Sequence, residues 1–156
     1  MAEDTDTTGV NVVMVHKDEI VNLWPQIAPH FQRVLERNQD TITPKAFYDR
    51  CVRGDYLIIV ATRGDEIMMA MASELVTCDT GKKILLIPQL SGYDMSEWLN
   101  SLVAQLYRIA DELGCFKVMI CGARKGWAKE MIQHGGYVDT VTVEFDVKAN
   151  IAKYKD

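Results

Sequence analysis

The fold is decided by residues 83–121, KILLIPQLSGYDMSEWLNSLVAQLYRIADELGCFKVMIC. A short apolar run, Lys83–Pro88, leads through a polar connection into a long amphipathic segment, Asp94–Leu113. Apolar residues recur in this segment every three or four positions, which is the spacing of one helix face. Gly114 stands where helices commonly end, and a second apolar run, Phe116–Cys121, follows. The stretch therefore predicts a strand, a long helix and another strand.

Before this stretch, the pattern predicts three strands and two helices. The strands are Val10–His16, Tyr56–Thr62 and Glu66–Thr77. The first helix follows Asp18 and contains Pro25 and Pro29, so we expect it to be kinked or split there, because proline removes a backbone hydrogen bond. The second helix begins at Pro44, where the fixed φ of proline suits a first helical position. It ends at Gly54.

After the stretch, a helix is predicted over Lys125–Gln133, and a strand with one wet face over Tyr137–Val147, where apolar and polar residues alternate. The order β-α-α-β-β-β-α-β-α-β predicts an α/β (α+β) fold, in which a mixed central sheet of about six strands carries helices on both faces. We expect one domain over residues 10–147. Residues 1–9 are expected to be a disordered or partner-bound tail, and residues 148–156 a C-terminal tail.

Composition narrows the function classes. The 156 residues are 48% apolar and 25% charged, which is ordinary for a globular domain. The net charge of −5 argues against nucleic acid, which needs a basic face, and no apolar run approaches the ~20 residues of a membrane span. The acidic, polar start does not resemble a signal peptide. The four cysteines, Cys51, Cys78, Cys115 and Cys121, form no C-x-x-C pair, so we expect a metal-free cytoplasmic protein.

Two motifs add a resemblance to this element order. Gln89-Leu90-Ser91-Gly92-Tyr93-Asp94 stands between a predicted strand and the long helix, and Ala128, Ile132 and Gly136-Tyr137 follow near the C-terminus. They resemble the R/Q-x-x-G-x-G/A and A-x-x-x-Y-x-x-x-G-F motifs of the GNAT acetyltransferase superfamily. The resemblance implies that Gln89, Leu90, Ser91, Gly92 and Tyr93 form an acyl-CoA-binding loop. It also implies acetyl-CoA as the cofactor and acyl transfer to an amine.

Three further segments resemble a narrower group, the small GNAT-like proteins of tailed bacteriophages. They are Trp24-Pro25-Gln26-Ile27-Ala28-Pro29, Gly92-Tyr93-Asp94-Met95-Ser96-Glu97-Trp98 and Gly122-Ala123-Arg124-Lys125-Gly126-Trp127. Some GNAT-like phage proteins are virion components. This resemblance implies a protein of the bacterial host cytoplasm that can be incorporated into a phage particle.

The cofactor loop departs from the superfamily pattern at Asp94, where a small residue is usual. With Glu97 three residues later, Asp94 forms a capping-box pattern, in which the carboxylate accepts the helix N–H groups that a phosphate would need. Two carboxylates at the helix start would also repel the pyrophosphate of acetyl-CoA. The sequence therefore predicts weak or absent CoA binding. The alternative is that Gln89–Asp94 is simply a well-capped turn.

No catalytic residue can be assigned from the sequence. The tyrosine that commonly protonates the leaving thiolate is replaced by Ile132, which has no proton to give. Tyr93 and Tyr107 could substitute for it, and Glu66 or Glu74 could act as a base, but no spacing supports the tyrosines. The simpler interpretation is that the tyrosines are packing residues and that the glutamates lie on a solvated strand face.

Three functions remain open. The first is a catalytically degenerate GNAT-like phage protein that acts through a protein partner or self-association and uses no cofactor. The second is an N-acyltransferase that depends on acetyl-CoA. The third is a binding protein that takes another ligand in a cleft between splayed strands, Lys83–Pro88 and Phe116–Cys121. In all three, nucleic acid, membrane and metal partners are not expected.

Overall fold

The structure is a computed structural model that describes residues 9–121, 125–139 and 142–154. These residues form two compact units, one ending at Cys121 and one following it, and each is described by itself. The first unit contains a five-stranded sheet with the order β1-β2-β3-β4-β5. Its strands are β1 (Val10–Val15), β2 (Leu57–Arg63), β3 (Glu66–Thr77), β4 (Lys83–Gly92) and β5 (Cys115–Ile120). The predicted N-terminal tail, residues 1–9, lies outside the described residues except for Gly9.

Three helices complete the first unit: α1 (Ile20–Arg37), α2 (Pro44–Arg53) and α3 (Met95–Glu112). The helix α1 is continuous through Pro25 and Pro29, so the predicted split does not occur. The helix α2 begins as predicted, with the Thr43 hydroxyl accepting a hydrogen bond from the Ala46 N–H at 3.1 Å. It ends at Gly54, whose φ of 83° suits a residue without a side chain. In the described part of the chain, none of the helices has the length and apolar character of a membrane span.

Strand direction follows from the connections. Strands β1 to β4 pair antiparallel in sequence order, because short turns or a returning helix pair join them. Strand β5 pairs parallel with β4, because α3 carries the chain back along the sheet between them. The predicted strand, helix and strand over residues 83–121 are therefore confirmed.

One sheet face packs against α1 and α2. Alternate residues of β2, such as Ile58 and Val60, join one buried cluster with Phe31 of α1 and Phe47 of α2. The two phenylalanine rings lie 4.8 Å apart and are tilted by 60°. Each fully buried side chain of this size contributes roughly 1.5–3 kcal/mol by leaving water.

The other sheet face packs against α3. The intervening strand residues, including Ile59, Met69 and Met71, are fully buried, and so are Trp98 and Leu102 of α3. The helix contacts β1, β4 and β5, and it alone supplies the crossover between the last two strands. The sheet therefore carries helices on both faces, as predicted.

The second unit contains α4 (Lys125–Ile132), α5 (Val147–Asn150) and a 3-10 turn, Ile151–Tyr154. The predicted strand over Tyr137–Val147 is not formed, since residues 137–139 and 142–146 have no regular secondary structure. Alternation alone does not make a strand, which needs a neighbour to pair with, and this unit has none among its described residues. Val147 instead opens α5, where the Asp146 carboxylate accepts a hydrogen bond from the Ala149 N–H at 3.0 Å. The described sheet thus has five strands rather than about six.

Candidate functional site

The predicted cofactor loop is largely strand. β4 continues to Gly92, and its residues Gln89–Gly92 pair with Met69–Ala72 of β3. Only Tyr93 and Asp94 connect β4 to α3. The backbone groups of Gln89, Leu90, Ser91 and Gly92 therefore belong to a sheet rather than to an open loop, and their cofactor role stays a prediction.

Pro88 marks an irregular point in β4. The β4–β5 ladder ends at the pair Ile87 and Ile120, and the β3–β4 register shifts between Ala72 and Glu74, opposite Pro88. Proline has no N–H to donate, so it is tolerated at such bulges. The predicted cleft between Lys83–Pro88 and Phe116–Cys121 is therefore wrong as stated, because these segments are paired over most of their length. The part of β4 beyond that ladder is Pro88–Gly92.

Gly92 makes a close approach to the neighbouring strand. A Cβ atom placed on it would lie 2.6 Å from the Met68 carbonyl oxygen and 2.7 Å from the Met69 Cβ atom. These distances are shorter than van der Waals contacts, and two of the nearest three atoms belong to the backbone of β3. Glycine is therefore required here for strand packing, independently of any cofactor.

Asp94 does not form the predicted capping box. It has a left-handed backbone conformation (φ 53°, ψ 45°), and its side chain accepts no hydrogen bond from the first turn of α3. A capping residue normally has extended φ and ψ angles, which direct its side chain towards those N–H groups. Asp94 is the one non-glycine residue with positive φ in the described chain. The carboxylate that was expected to occupy the helix start is turned elsewhere.

The Asp94 carboxylate instead faces Arg63, the last residue of β2. Its guanidinium group lies 2.7 Å from the Glu97 carboxylate, 3.4 Å from that of Glu66 and 3.8 Å from that of Asp94. One cation thus faces three carboxylates, which leaves a net charge of −2 at neutral pH. We call these four residues the Arg63 cluster. Nothing in the sequence around Arg63 indicates a contact with α3, which begins 32 residues later.

Tyr93 joins this cluster through Glu66. Its hydroxyl group donates a hydrogen bond to the Glu66 carboxylate, and its ring stacks on His30 with centroids 5.9 Å apart. The hydrogen bond to Glu66 raises the pKa of Tyr93 above its ordinary value. The same bond, together with Arg63, lowers the pKa of Glu66. The Tyr93 hydroxyl and the Glu66 carboxylate thus form one hydrogen-bonded pair, and a catalytic role for either residue stays a prediction.

Trp98 of α3 holds the connection between β4 and α3 by a hydrogen bond from the buried side of the connection. Its side chain is fully buried, and its indole N–H donates a hydrogen bond to the Tyr93 carbonyl oxygen at 2.6 Å. Residues 93 and 94 are therefore held between the buried indole on one side and the Arg63 cluster on the other. A connection held in this way has little freedom to open into a longer loop.

Other candidates lie outside this site or in the second unit. Glu74 is half-buried on β3, and Tyr107 is exposed on α3. Ile132 is the last residue of α4 and is half-exposed. The third phage-type segment begins in residues 122–124, which lie outside the described residues. Among the described side chains, no group of three or more His, Cys, Asp or Glu residues could hold a metal ion.

The site fits the pyrophosphate of acetyl-CoA in backbone geometry but not in charge. A left-handed residue before a helix arranges successive N–H groups in a concavity that suits anions, and the Asp94 side chain leaves them uncapped. However, Asp94 lies at the N-cap position and Glu97 in the first turn of α3, so both carboxylates are close to the helix start. Their repulsion of a phosphate is about 1 kcal/mol for each pair of unit charges at ~4 Å in water. Arg63 offsets this only in part, because Glu66 shares it.

Solved structures with the same fold include several acetyltransferases. An aminoglycoside acetyltransferase from an uncultured soil metagenomic sample superposes with a TM-score of 0.67 at 13% identity, covering 92% of this chain and 99% of its own. A ribosomal-protein-alanine N-acetyltransferase from Brucella melitensis biovar Abortus 2308 gives 0.61 at 14% identity, covering 88% and 98%. Glucosamine-6-phosphate N-acetyltransferase from Arabidopsis thaliana gives 0.61 at 12%, covering 88% and 97%. No family model and no curated protein sequence matches the chain. The chain therefore has the GNAT acetyltransferase fold.

Proposed function

We propose that this chain is a catalytically silent protein of the GNAT fold that acts through contacts with a protein partner or with itself. The observation that carries the proposal is the charge at the start of α3, where three carboxylates face the single guanidinium of Arg63. Phosphate sites at helix starts depend on uncapped N–H groups and on a favourable electrostatic field. The net negative charge of the Arg63 cluster makes the electrostatic field at the start of α3 unfavourable for a phosphate.

The rest of the connection supports this proposal. Trp98 and Arg63 hold Tyr93 and Asp94 in a tight turn, and the residues before it are paired in the sheet. A cofactor would have to displace ordered contacts rather than enter a preformed cradle. Ile132 also occupies the position where the superfamily commonly has the tyrosine that protonates the leaving thiolate. No cofactor is therefore proposed.

The phage-type segments suggest where such a protein acts. Trp24–Pro29 and Gly92–Trp98 resemble the GNAT-like proteins of tailed phages, in which a virion role is known for some members. We extend the proposal to a phage protein made in the bacterial cytoplasm and incorporated into the particle. Purified particles of the parent phage should then contain this chain in a fixed copy number, and particles without it would contradict this part of the proposal.

An acetyl-CoA-dependent N-acyltransferase is the second candidate. It is favoured by the left-handed Asp94, whose uncapped helix start retains the backbone shape of an anion site. The fold neighbours also act, by their descriptions, on an aminoglycoside, glucosamine 6-phosphate and a protein alanine.

The two candidates are separated by an acetyl-transfer assay. The purified chain is incubated with acetyl-CoA and, in turn, an aminoglycoside, glucosamine 6-phosphate and a peptide with an N-terminal alanine, and release of free CoA is followed. The silent protein releases no more CoA than the buffer does. Sustained release with any of these amines, over many turnovers, contradicts the first candidate and supports the second.

A further inference from the structure

A groove lies on the face of the sheet that packs against α1, beside strand β1. The helix α3 packs on the other face. The volume of the groove is about 760 Å³, which is within the range of ligand sites in proteins. Val13–Val15 of β1 and the following His16 form one wall, and Leu23 and Gln26 of α1 contribute to the other. Val13, Val60 and Ile67 make an apolar floor that is continuous with the core cluster. No catalytic or cofactor role discussed above uses this groove.

The charged residues of the groove are acidic. Glu19 and Asp65 line it, and no lysine or arginine does. Neither carboxylate forms an ion pair within the part of the chain that the structure describes. An apolar floor in a groove that is also lined by two unneutralised carboxylates complements a ligand that carries a cation beside apolar groups.

A buried acceptor lies at one end of the same sheet face. Asn11 pairs in register with Thr62, which lines the groove, and its side-chain oxygen is buried with no hydrogen-bond partner among the described residues. Such an orphaned oxygen costs free energy unless a donor reaches it. The oxygen is buried and Asn11 does not line the groove, so it is not a contact of a ligand bound there.

The shape of the groove favours an extended chain. β1 is the edge strand of the sheet, and the four successive residues of its wall span about 13 Å at ~3.3 Å per residue. An edge strand also offers backbone groups to a segment that lies beside it. A ligand that follows this wall therefore runs parallel to a strand rather than sitting at one point.

We propose that this groove binds an extended segment of a partner protein, in which a lysine or arginine lies between apolar residues. The inference rests on the proposed function, since it names the surface through which a contact protein would act. The apolar side chains cover Val13, Val60 and Ile67, while the basic side chain lies near one of the two lining carboxylates, Glu19 or Asp65.

The test uses the full chain and two blocked seven-residue peptides. Valine occupies every second position in both peptides, and threonine and one type of charged residue occupy the positions between. The charged residue is lysine in one peptide and glutamate in the other. Binding is followed by calorimetry and by methyl NMR signals of Val13, Val15, Leu23 and Ile67. The lysine peptide should shift these signals at concentrations up to about 1 mM, and the glutamate peptide should bind at least fivefold more weakly. No shift of these signals with the lysine peptide, or equal binding of both peptides, would overturn the proposal.

Matched variants locate the effect. The double variant Glu19→Gln/Asp65→Asn should weaken the lysine peptide roughly 3- to 10-fold, which is typical of two partly exposed charge pairs. Asp79→Asn, in the β3–β4 turn, should leave its affinity unchanged. Unchanged binding by the double variant contradicts the proposal. Spermidine that shifts the same signals with equal affinity would overturn a peptide occupant in favour of a simple cation.

These outcomes are independent of the acetyl-CoA question. Tight acetyl-CoA binding would contradict the silent function even if the peptide occupies the groove. Failure of the peptide to bind would reject the groove as the docking surface, while absence of acetyl-CoA binding would still leave the silent function standing.

Discussion

The guanidinium group of Arg63 lies 2.7 Å from the carboxylate of Glu97, which is 34 residues further along the chain. This contact joins the end of β2 to the first turn of α3, and Asp94 is drawn into it at 3.8 Å. It explains why the Asp94 carboxylate does not cap its own helix. The carboxylates at the start of α3 are therefore partly neutralised by an arginine from β2, which is distant in sequence.

Loss of the Arg63 contact should have a small effect on stability, because both side chains are partly exposed. Arg63→Ala is expected to lower the thermal midpoint by roughly 1–3 °C. Glu97→Gln should lower it by a similar amount, and the double variant by less than the sum, because the two changes remove the same contact. Strictly additive losses, measured by thermal denaturation, would show that the two side chains do not interact in solution.

Gly92→Ala should be strongly destabilising. Its new Cβ atom would meet the Met68 carbonyl oxygen at 2.6 Å and the Met69 backbone at 2.8 Å, so β3 and β4 must separate locally. We expect the free energy of unfolding to fall by about 1–3 kcal/mol, as for other overpacked sites. Urea denaturation measures it.

Gly126→Ala is the matched control, because nothing lies within 4 Å of its added Cβ atom and alanine favours helices. It should not lower stability. Equal stability of Gly92→Ala and the parent protein would mean that the strands are further apart at this point than the structure indicates.

Trp98→Phe tests how the β4–α3 connection is held. Phenylalanine keeps most of the buried apolar surface but leaves the Tyr93 carbonyl oxygen without the indole donor, which lies 2.6 Å from it. The expected loss is about 1–3 kcal/mol of unfolding free energy, whereas Trp98→Ala should lose about 3–5 kcal/mol because it also leaves a cavity. If the two substitutions cost the same, the hydrogen bond and not the packing would dominate.

The hydrogen bond from Tyr93 should be visible in the titration of Glu66. Tyr93→Phe is expected to raise the pKa of Glu66 towards its ordinary value, because the main cause of its lowering is removed. A carboxyl group with a lowered folded-state pKa stabilises the fold above its unfolded pKa, and this contribution is lost as the pH falls through the folded pKa. The variant should therefore lose less stability than the parent protein on acidification below about pH 4.5. Carboxyl carbon NMR measures the pKa directly, with Tyr48→Phe as a control that should not change it.

Much of the fold could be predicted from local pattern. The apolar stripe of α3 and the start and end of α2 at Pro44 and Gly54 are confirmed, because such signals depend on spacing and on single-residue backbone preferences. The strand over Tyr137–Val147 was wrong, since alternation describes a side-chain pattern and says nothing about an available partner strand.

The site was less predictable because its contacts are distant in sequence. Asp94 and Glu97 have the spacing of a capping box, but the spacing does not reveal the left-handed backbone at Asp94 or the arginine that attracts both carboxylates. The continuation of β4 through Pro88 was missed for a similar reason. Proline is rare inside paired strands, and Pro88 is accommodated at the register shift between β3 and β4, just beyond the last β4–β5 pair.

Acetyl-CoA titration by calorimetry tests the central claim most directly. The parent protein is compared with Asp94→Gly, where glycine suits the left-handed backbone, with the double variant Asp94→Gly/Glu97→Gln, and with Asp79→Asn as a control. We predict no binding by the parent or the control up to about 1 mM, and binding gained by the double variant, in which Arg63 retains one carboxylate partner instead of three. Binding by the parent protein with a dissociation constant of about 1 μM would contradict the account and establish a functional cofactor site.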